Sequence, residues 1–384
     1  MGMTFDDKKR LGIYIHIPFC VQKCLYCDFL SFPSKERERN EYVNALLSEI
    51  EMKSASGEAP LLQACTEYLV DTIFIGGGTP SVLRAEQIER ILCKLNQCFC
   101  IDENAEITIE CNPGTVSKED LLVYKSAGVN RLSFGLQSPE DEDLKTLGRI
   151  HTYDEFRNSF RWAREAGFGN INIDLISAIP NQDTNRFLNG LNKVIALNPE
   201  HISVYSLIVE EGTPFYEMEL ELPDEECERE IYHQTQKILA ENGYLQYEIS
   251  NYAKPGYESK HNMKYWMRDE YLGLGLGASS LMKDRRWKNT SDFHQYLNLD
   301  FDCEEEEILS KKDKMSETMI LGLRMNRGVS KKDFFDKFSE DIYDVYGKEL
   351  RKHIEEGLLK DTKGTIVLTA PGRDVANYVL CDFV

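Results

Sequence analysis

The chain has 384 residues, with 45 Lys and Arg against 65 Asp and Glu, and a formal charge of −20. That acidity argues against nucleic acid as a partner, because its phosphates are repelled, and no apolar run approaches the roughly 20 residues of a membrane span. The polar residues 1–10 lack the apolar centre of a secretory leader, so a cytoplasmic protein of about two or three domains is expected.

The first half alternates strand-like and helical patterns. Residues 11–17, 72–75, 106–110, 131–136, 170–175 and 201–207 are short runs rich in Ile, Val and aromatics, as strands buried in a parallel sheet should be. Between them, residues 38–54, 85–95, 117–127 and 154–166 carry helical spacing. Ser117 with Asp120 three residues later resembles a capping box, and Gly128 and Gly167 suit helix C-termini. Six β/α units fall short of the eight of a closed barrel, so a partial (β/α)6 TIM-like barrel is expected, with functional residues at the C-terminal strand ends.

Directly after the first strand comes Cys20-Val-Gln-Lys-Cys24-Leu-Tyr-Cys27. Three thiols so spaced are expected to converge on a metal centre. Four thiolates usually hold a four-iron cubane, so three leave one iron open for chemistry. Zinc, with His16 as the fourth ligand, and free buried thiols are the competing readings. The spacing favours the cluster. The other cysteines, Cys65, Cys93, Cys98, Cys100, Cys111, Cys227, Cys303 and Cys381, are read as small buried hydrophobes, since a disulfide framework does not suit a long cytoplasmic chain. Gly76-Gly77-Gly78-Thr79-Pro80 follows the second strand; without Gly-Lys-Ser/Thr it is not a P-loop. Glu110 and Asp174 at strand ends suit a ribose hydroxyl or an ammonium group, and Arg149 suits a carboxylate.

The cysteine loop, with Tyr26 before its third thiol, resembles that of radical S-adenosylmethionine proteins. The resemblance implies a [4Fe-4S] cluster on Cys20, Cys24 and Cys27, and S-adenosyl-L-methionine on the open iron. It implies cofactor contacts at Tyr14, Gly78, Thr79, Glu110, Gln137, Arg149 and Asp174. Tyr-Ile-His-Ile-Pro-Phe-Cys, Gly-Gly-Gly-Thr-Pro-Ser, Leu-Ser-Phe-Gly-Leu-Gln and Ile-Asp-Leu-Ile, between Leu11 and about Leu207, resemble the oxygen-independent coproporphyrinogen III oxidase group. The oxidases of that group carry a fourth cysteine where this chain has Phe29, and a long extension before the cysteine loop. Both departures point to the group's heme chaperone branch and away from decarboxylation.

Further on, Lys260-His261-Asn262-Met263-Lys264-Tyr265-Trp266 is similar to that branch's His-Asn-x-x-Tyr-Trp motif. The likeness implies heme at His261, since imidazole ligates heme iron and aromatics shield a porphyrin face. A core histidine in an aromatic cluster is the alternative. His16, His151, His201, His233, His294 and His353 are read as structural or exposed. Residues 273–279, rich in glycine, suit close packing or a ligand.

The last segment reads as helices at 311–323, 331–338 and 343–356, then a hairpin over 358–369. That outline is a winged helix, but Asp333, Asp336, Glu340, Asp341 and Asp344 make it a poor DNA surface, so a packing or docking module is expected. The domains are expected at 1–215 (barrel), 216–305 (extension with the His-Asn motif) and 306–384 (winged-helix-like α+β). The resemblance implies a heme chaperone that passes heme to an acceptor protein, with no residue given a catalytic role. The alternatives are oxidative decarboxylation of coproporphyrinogen III and radical chemistry on an unrelated substrate. A homodimer and peripheral membrane contact are left open.

Overall fold

The computed structural model describes residues 8–55 and 67–384, so the expectation for Cys65 falls outside the described residues. Six strands form the core: β1 (Lys9–Ile17), β2 (Tyr68–Gly77), β3 (Ile101–Cys111), β4 (Arg131–Gln137), β5 (Ile171–Ser177) and β6 (His201–Ser206), each parallel to its neighbour. Helices α1 (Glu36–Ala55), α2 (Ala85–Cys98), α3 (Lys118–Ser126), α4 (Asp141–Thr146), α5 (Tyr153–Glu165) and α6 (Thr184–Ile195) alternate with them. The capping box read at Ser117 and Asp120 opens α3, and Thr152 with Glu155 makes another for α5. Each such cap contributes about 0.5–2 kcal/mol.

Residues 216–308 add α7 (Glu225–Glu241), the short strands β7 (Leu245–Gln246) and β8 (Asn251–Ala253), α8 (Lys260–Met267), and strands β9 (Tyr271–Leu274), β10 (Ser279–Met282), β11 (Arg285–Asn289) and β12 (Cys303–Ile308), the last crossing the boundary expected at 305. The result is one open twelve-stranded sheet in the order β12-β11-β10-β9-β1-β2-β3-β4-β5-β6-β8-β7. The stretch expected as a separate extension therefore builds both edges of the sheet. β9 is a seventh parallel strand, with Gly12 opposite Tyr271 and Tyr14 opposite Gly273. The glycines of this stretch allow close packing: a Cβ on Gly273 would meet the Ser279 carbonyl oxygen at 2.2 Å.

Alternation along the strands divides the residues into two sets. Ile13, Ile15, Ile73, Ile75, Ile109, Leu132, Phe134, Ile171 and Ile173 pack against the helices as one core with Tyr42, Leu46, Ile88 and Ile91. Each buried side chain of this kind contributes about 1.5–3 kcal/mol. The alternate set is polar. Asn172 donates to Ser133 (2.7 Å) and Asp174 (2.8 Å), Ser203 donates to Asn172 (3.1 Å), and His201 lies 2.6 Å from Asn172 Oδ1. The barrel interior is thus a hydrogen-bonded polar core.

Helix α8 closes one end of this interior. Its first backbone N–H groups, from Lys260 and His261, donate to the buried Glu106 carboxylate at 3.2 and 3.1 Å, and Lys264 pairs with Asp71 at 2.7 Å. At its other end, Arg268 bonds Glu317 at 2.8 Å. Glu317 lies on α9 (Lys311–Arg324), the first helix of the C-terminal unit. That unit continues with α10 (Lys331–Phe338) and α11 (Ile342–Glu355), and with a small antiparallel sheet of β13 (Val329–Ser330), β14 (Leu359–Asp361) and β15 (Thr365–Leu368) in the order β13-β15-β14. It has its own core around Met319, Phe334, Leu350, Ile366 and Phe383. Among the described residues no helix is long and apolar enough to cross a membrane.

Candidate functional site

The C-terminal ends of β1 to β6 surround a basin of about 420 Å³, within the usual range for ligand sites. All three loop thiols line it, together with Gly78 and Thr79 after β2, Glu110 of β3, Gln137 of β4, Arg149, and Asp174 of β5. Apolar side chains stand at its mouth. Phe29 is 62% exposed and Ile208 is 66% exposed.

The loop is seated by close backbone approach. A Cβ on Gly78 would lie 2.7 Å from the Phe19 carbonyl oxygen and 3.1 Å from Cys20 Sγ, so only glycine fits there. Leu25 N–H donates to the Leu147 carbonyl (3.1 Å), and Phe215 N–H donates to the Leu25 carbonyl (3.0 Å), which holds the loop between two neighbouring segments. Glu110 accepts from the Gly77 N–H at 3.1 Å, and Ser133 donates to Asp174 at 3.0 Å. Burial, and then the Asp174 carboxylate, push the Glu110 carboxyl up to about 8. Burial also raises Asp174, against hydrogen bonds from Asn172, Ser203 and Ser133. A cationic ligand would favour the charged forms of two carboxyls held this way.

The donor set fits an iron–sulfur cluster. Among the described residues no three His, Cys, Asp or Glu side chains stand close enough together to grip a single ion. All three thiols do line one basin, and thiolate is the ligand type that iron–sulfur clusters take. His16, the fourth ligand of the zinc reading, is spoken for: Nδ1 lies 3.0 Å from the Tyr14 hydroxyl and Nε2 lies 2.9 Å from the Leu30 carbonyl oxygen. The remaining described cysteines are free but not uniformly buried. Cys111 is buried, whereas Cys93 and Cys381 are exposed, because helix surface and chain end leave them without covering segments.

Two expected contacts lie elsewhere. Tyr14 does not line the basin; its ring sits between His16 and Phe74, stacked on the latter at 6.3 Å. His261, on α8, is fully buried. Nδ1 lies 2.8 Å from the Thr72 hydroxyl, Nε2 lies 2.9 Å from the Tyr265 hydroxyl, and the ring stacks on Phe74 at 5.3 Å. Burial, and then Lys264 and Arg131, hold its pKa down at about 3. Neither nitrogen is free for iron in this arrangement. Arg149, read as a carboxylate partner, instead points Nη1 at Cys24 Sγ, 3.4 Å away. Asn112 also lines the basin, and its place two residues after Glu110 and before Pro113, at a strand end, is the sequence signal for it.

A partial barrel with three thiols at its C-terminal face defines a radical S-adenosylmethionine protein. Residues 14–192 match the Radical SAM superfamily, and residues 309–375 match the HemN C-terminal domain. The chain is 38% identical to the heme chaperone HemW of Bacillus subtilis (strain 168), over 97% of this chain and 98% of that one. It is 35% identical to the heme chaperone HemW of Escherichia coli (strain K12), over 96% of this chain and 97% of that one. The solved coproporphyrinogen III oxidase (HemN) from Escherichia coli shares the fold, with a TM-score of 0.85 at 24% identity, over 98% of this chain and 90% of that one. The chain belongs to the HemW family.

Proposed function

We propose that the chain is a cytoplasmic heme chaperone that carries a [4Fe-4S] cluster on Cys20, Cys24 and Cys27, binds S-adenosyl-L-methionine beside it, binds heme, and passes heme to an acceptor protein. The observation that carries this reading is the meeting of the three thiols with Glu110 and Asp174 in one basin, in a chain that aligns over 97% of its length with a heme chaperone. When bound, the cluster supplies an open iron and an electron. The chain's own residues do the rest. The Gly77–Thr79 turn lets backbone approach the ligand, Glu110 and Asp174 face its cationic and hydroxyl groups, and Gln137 completes the wall. Phe29 and Ile208 offer apolar surface at the mouth, where a porphyrin gains from leaving water.

Heme ligation by His261 belongs to this proposal, and it takes a movement. The ring must first leave Thr72 and Tyr265, so α8 has to lift from the barrel end.

The test is transfer. Full-length protein, reconstituted without oxygen, is titrated with hemin and then mixed with an apo heme protein. A Soret band that appears on the chain and then moves to the acceptor is the expected result. Conversion of coproporphyrinogen III to decarboxylated product under reducing conditions would overturn it.

A further inference from the structure

Two of the three basin thiols are tied together by a single side chain. Asn112 Nδ2 donates to Thr79 Oγ1 at 2.7 Å, and the Thr79 hydroxyl, its acceptor side thus occupied, donates to Cys20 Sγ at 3.5 Å. On its other side, Asn112 Oδ1 accepts from Arg149 Nη2 at 2.7 Å, while Arg149 Nη1 donates to Cys24 Sγ at 3.4 Å. The bracket is built rather than incidental. Ser81 accepts from the Asn112 backbone N–H at 3.1 Å, Arg149 Nη2 also donates to the Gly135 carbonyl, and Thr79 is 3% exposed. A Cβ on Gly135 would come within 2.9 Å of Asn112 Oδ1 and 3.1 Å of Arg149 Nη2, so the bracket closes only over glycine. Cys27 is served differently, by the Phe29 backbone and by the Ser31 hydroxyl at 4.0 Å, both within its own loop.

We propose that Asn112 is a positioning residue that sets the reduction potential of the cluster, by holding Thr79 and Arg149 as donors on the thiolates of Cys20 and Cys24. The inference rests on the cluster reading above. Reduction adds one electron, supplied by an external low-potential donor, and so one negative charge to a cluster already surrounded by thiolates. Hydrogen bonds to the sulfurs and a fixed guanidinium stabilise that added charge, so they raise the potential. An arginine keeps its charge at any working pH, and its two-pronged anchoring on Asn112 and Gly135 fixes the direction of Nη1.

The test is a dithionite titration of reconstituted full-length protein, followed by electron paramagnetic resonance of the reduced cluster, with iron and sulfide measured on each sample. Thr79→Val, Asn112→Ala and Arg149→Met are each expected to load cluster and to shift the midpoint to more negative values, with Asn112→Ala at least equal to Thr79→Val. Thr79→Ser, which keeps the hydroxyl, is expected to restore the wild-type midpoint. If Asn112→Ala or Arg149→Met fails to load, the Thr79→Val and Thr79→Ser pair decides, since it leaves the arginine arm intact. A fully loaded Thr79→Val or Asn112→Ala sample with an unchanged midpoint would overturn the proposal. Wild-type protein that takes up no iron would instead defeat the cluster reading on which it stands.

Discussion

His261 Nδ1 lies 2.8 Å from the hydroxyl of Thr72, a residue of β2 that precedes it by 189 positions. This contact binds the His-Asn motif helix to the barrel interior. The ring is neutral at working pH, which suits metal ligation, but both its nitrogens are occupied. Hemin titration of His261→Ala is expected to lose the Soret shift of the wild type. Thr72→Val, which frees Nδ1, is expected to speed hemin uptake in stopped flow by several-fold. A His261→Ala protein that keeps the full Soret shift and only melts lower, by on the order of 2 kcal/mol of lost hydrogen bonding, would make the ring structural.

Serine in place of Cys20, Cys24 and Cys27 together is expected to abolish iron and sulfide uptake and the cluster's visible absorbance. The far-ultraviolet circular dichroism should stay unchanged, because the apolar core beneath the loop does not involve these thiols. Metal analysis of wild-type protein should find iron rather than zinc, since His16 has no free nitrogen.

Glu110 gives the basin a pH dependence whose sign is fixed by burial. Folded, the carboxyl titrates at about 8; unfolded, it titrates near the ordinary 4.5. Between these values the folded state holds a proton that the unfolded state releases, so stability falls as pH rises through the window. Glu110→Gln removes the titration, and its melting temperature should fall less between about pH 5 and about pH 8, by on the order of a few degrees. Above about pH 8 the wild-type carboxylate is charged, so calorimetry should find S-adenosyl-L-methionine binding tighter there in wild type, with a smaller change with pH in the variant, where Asp174 still titrates.

Glu49 is a buried carboxylate that accepts from the Gly275 N–H (2.8 Å), Asn289 Nδ2 (2.8 Å) and the Tyr296 hydroxyl (2.6 Å). It ties α1 to the turn after β9. Glu49→Ala leaves the Gly275 N–H and the Tyr296 hydroxyl unpaired, each costing about 1–3 kcal/mol, while Asn289 Nδ2 keeps the Gly275 carbonyl oxygen at 2.9 Å, so denaturant unfolding should show a large loss. Glu49→Gln, which keeps an acceptor, should lose markedly less. Equal losses would show that volume, not hydrogen bonding, matters there.

The residue order alone determined a good deal. The three-cysteine spacing, the six β/α units and the C-terminal helices are legible because each depends on contacts between near neighbours. Helix α10 runs from Lys331 to Phe338, as its pattern predicts, and Asp120 caps α3 from three residues away. What the chain order left open was decided by strand register and by which segment covers which end of the barrel. Tyr271–Leu274 becomes a parallel neighbour of β1, Arg149 turns to Cys24 across 125 positions, Asn112 reaches Thr79 across 33, and His261 is buried against Thr72. A side chain's partner across the barrel is set by the twist and stagger of strands far apart in sequence. The same residue types in the same order are compatible with either a free ligand or a satisfied core group until that packing is fixed.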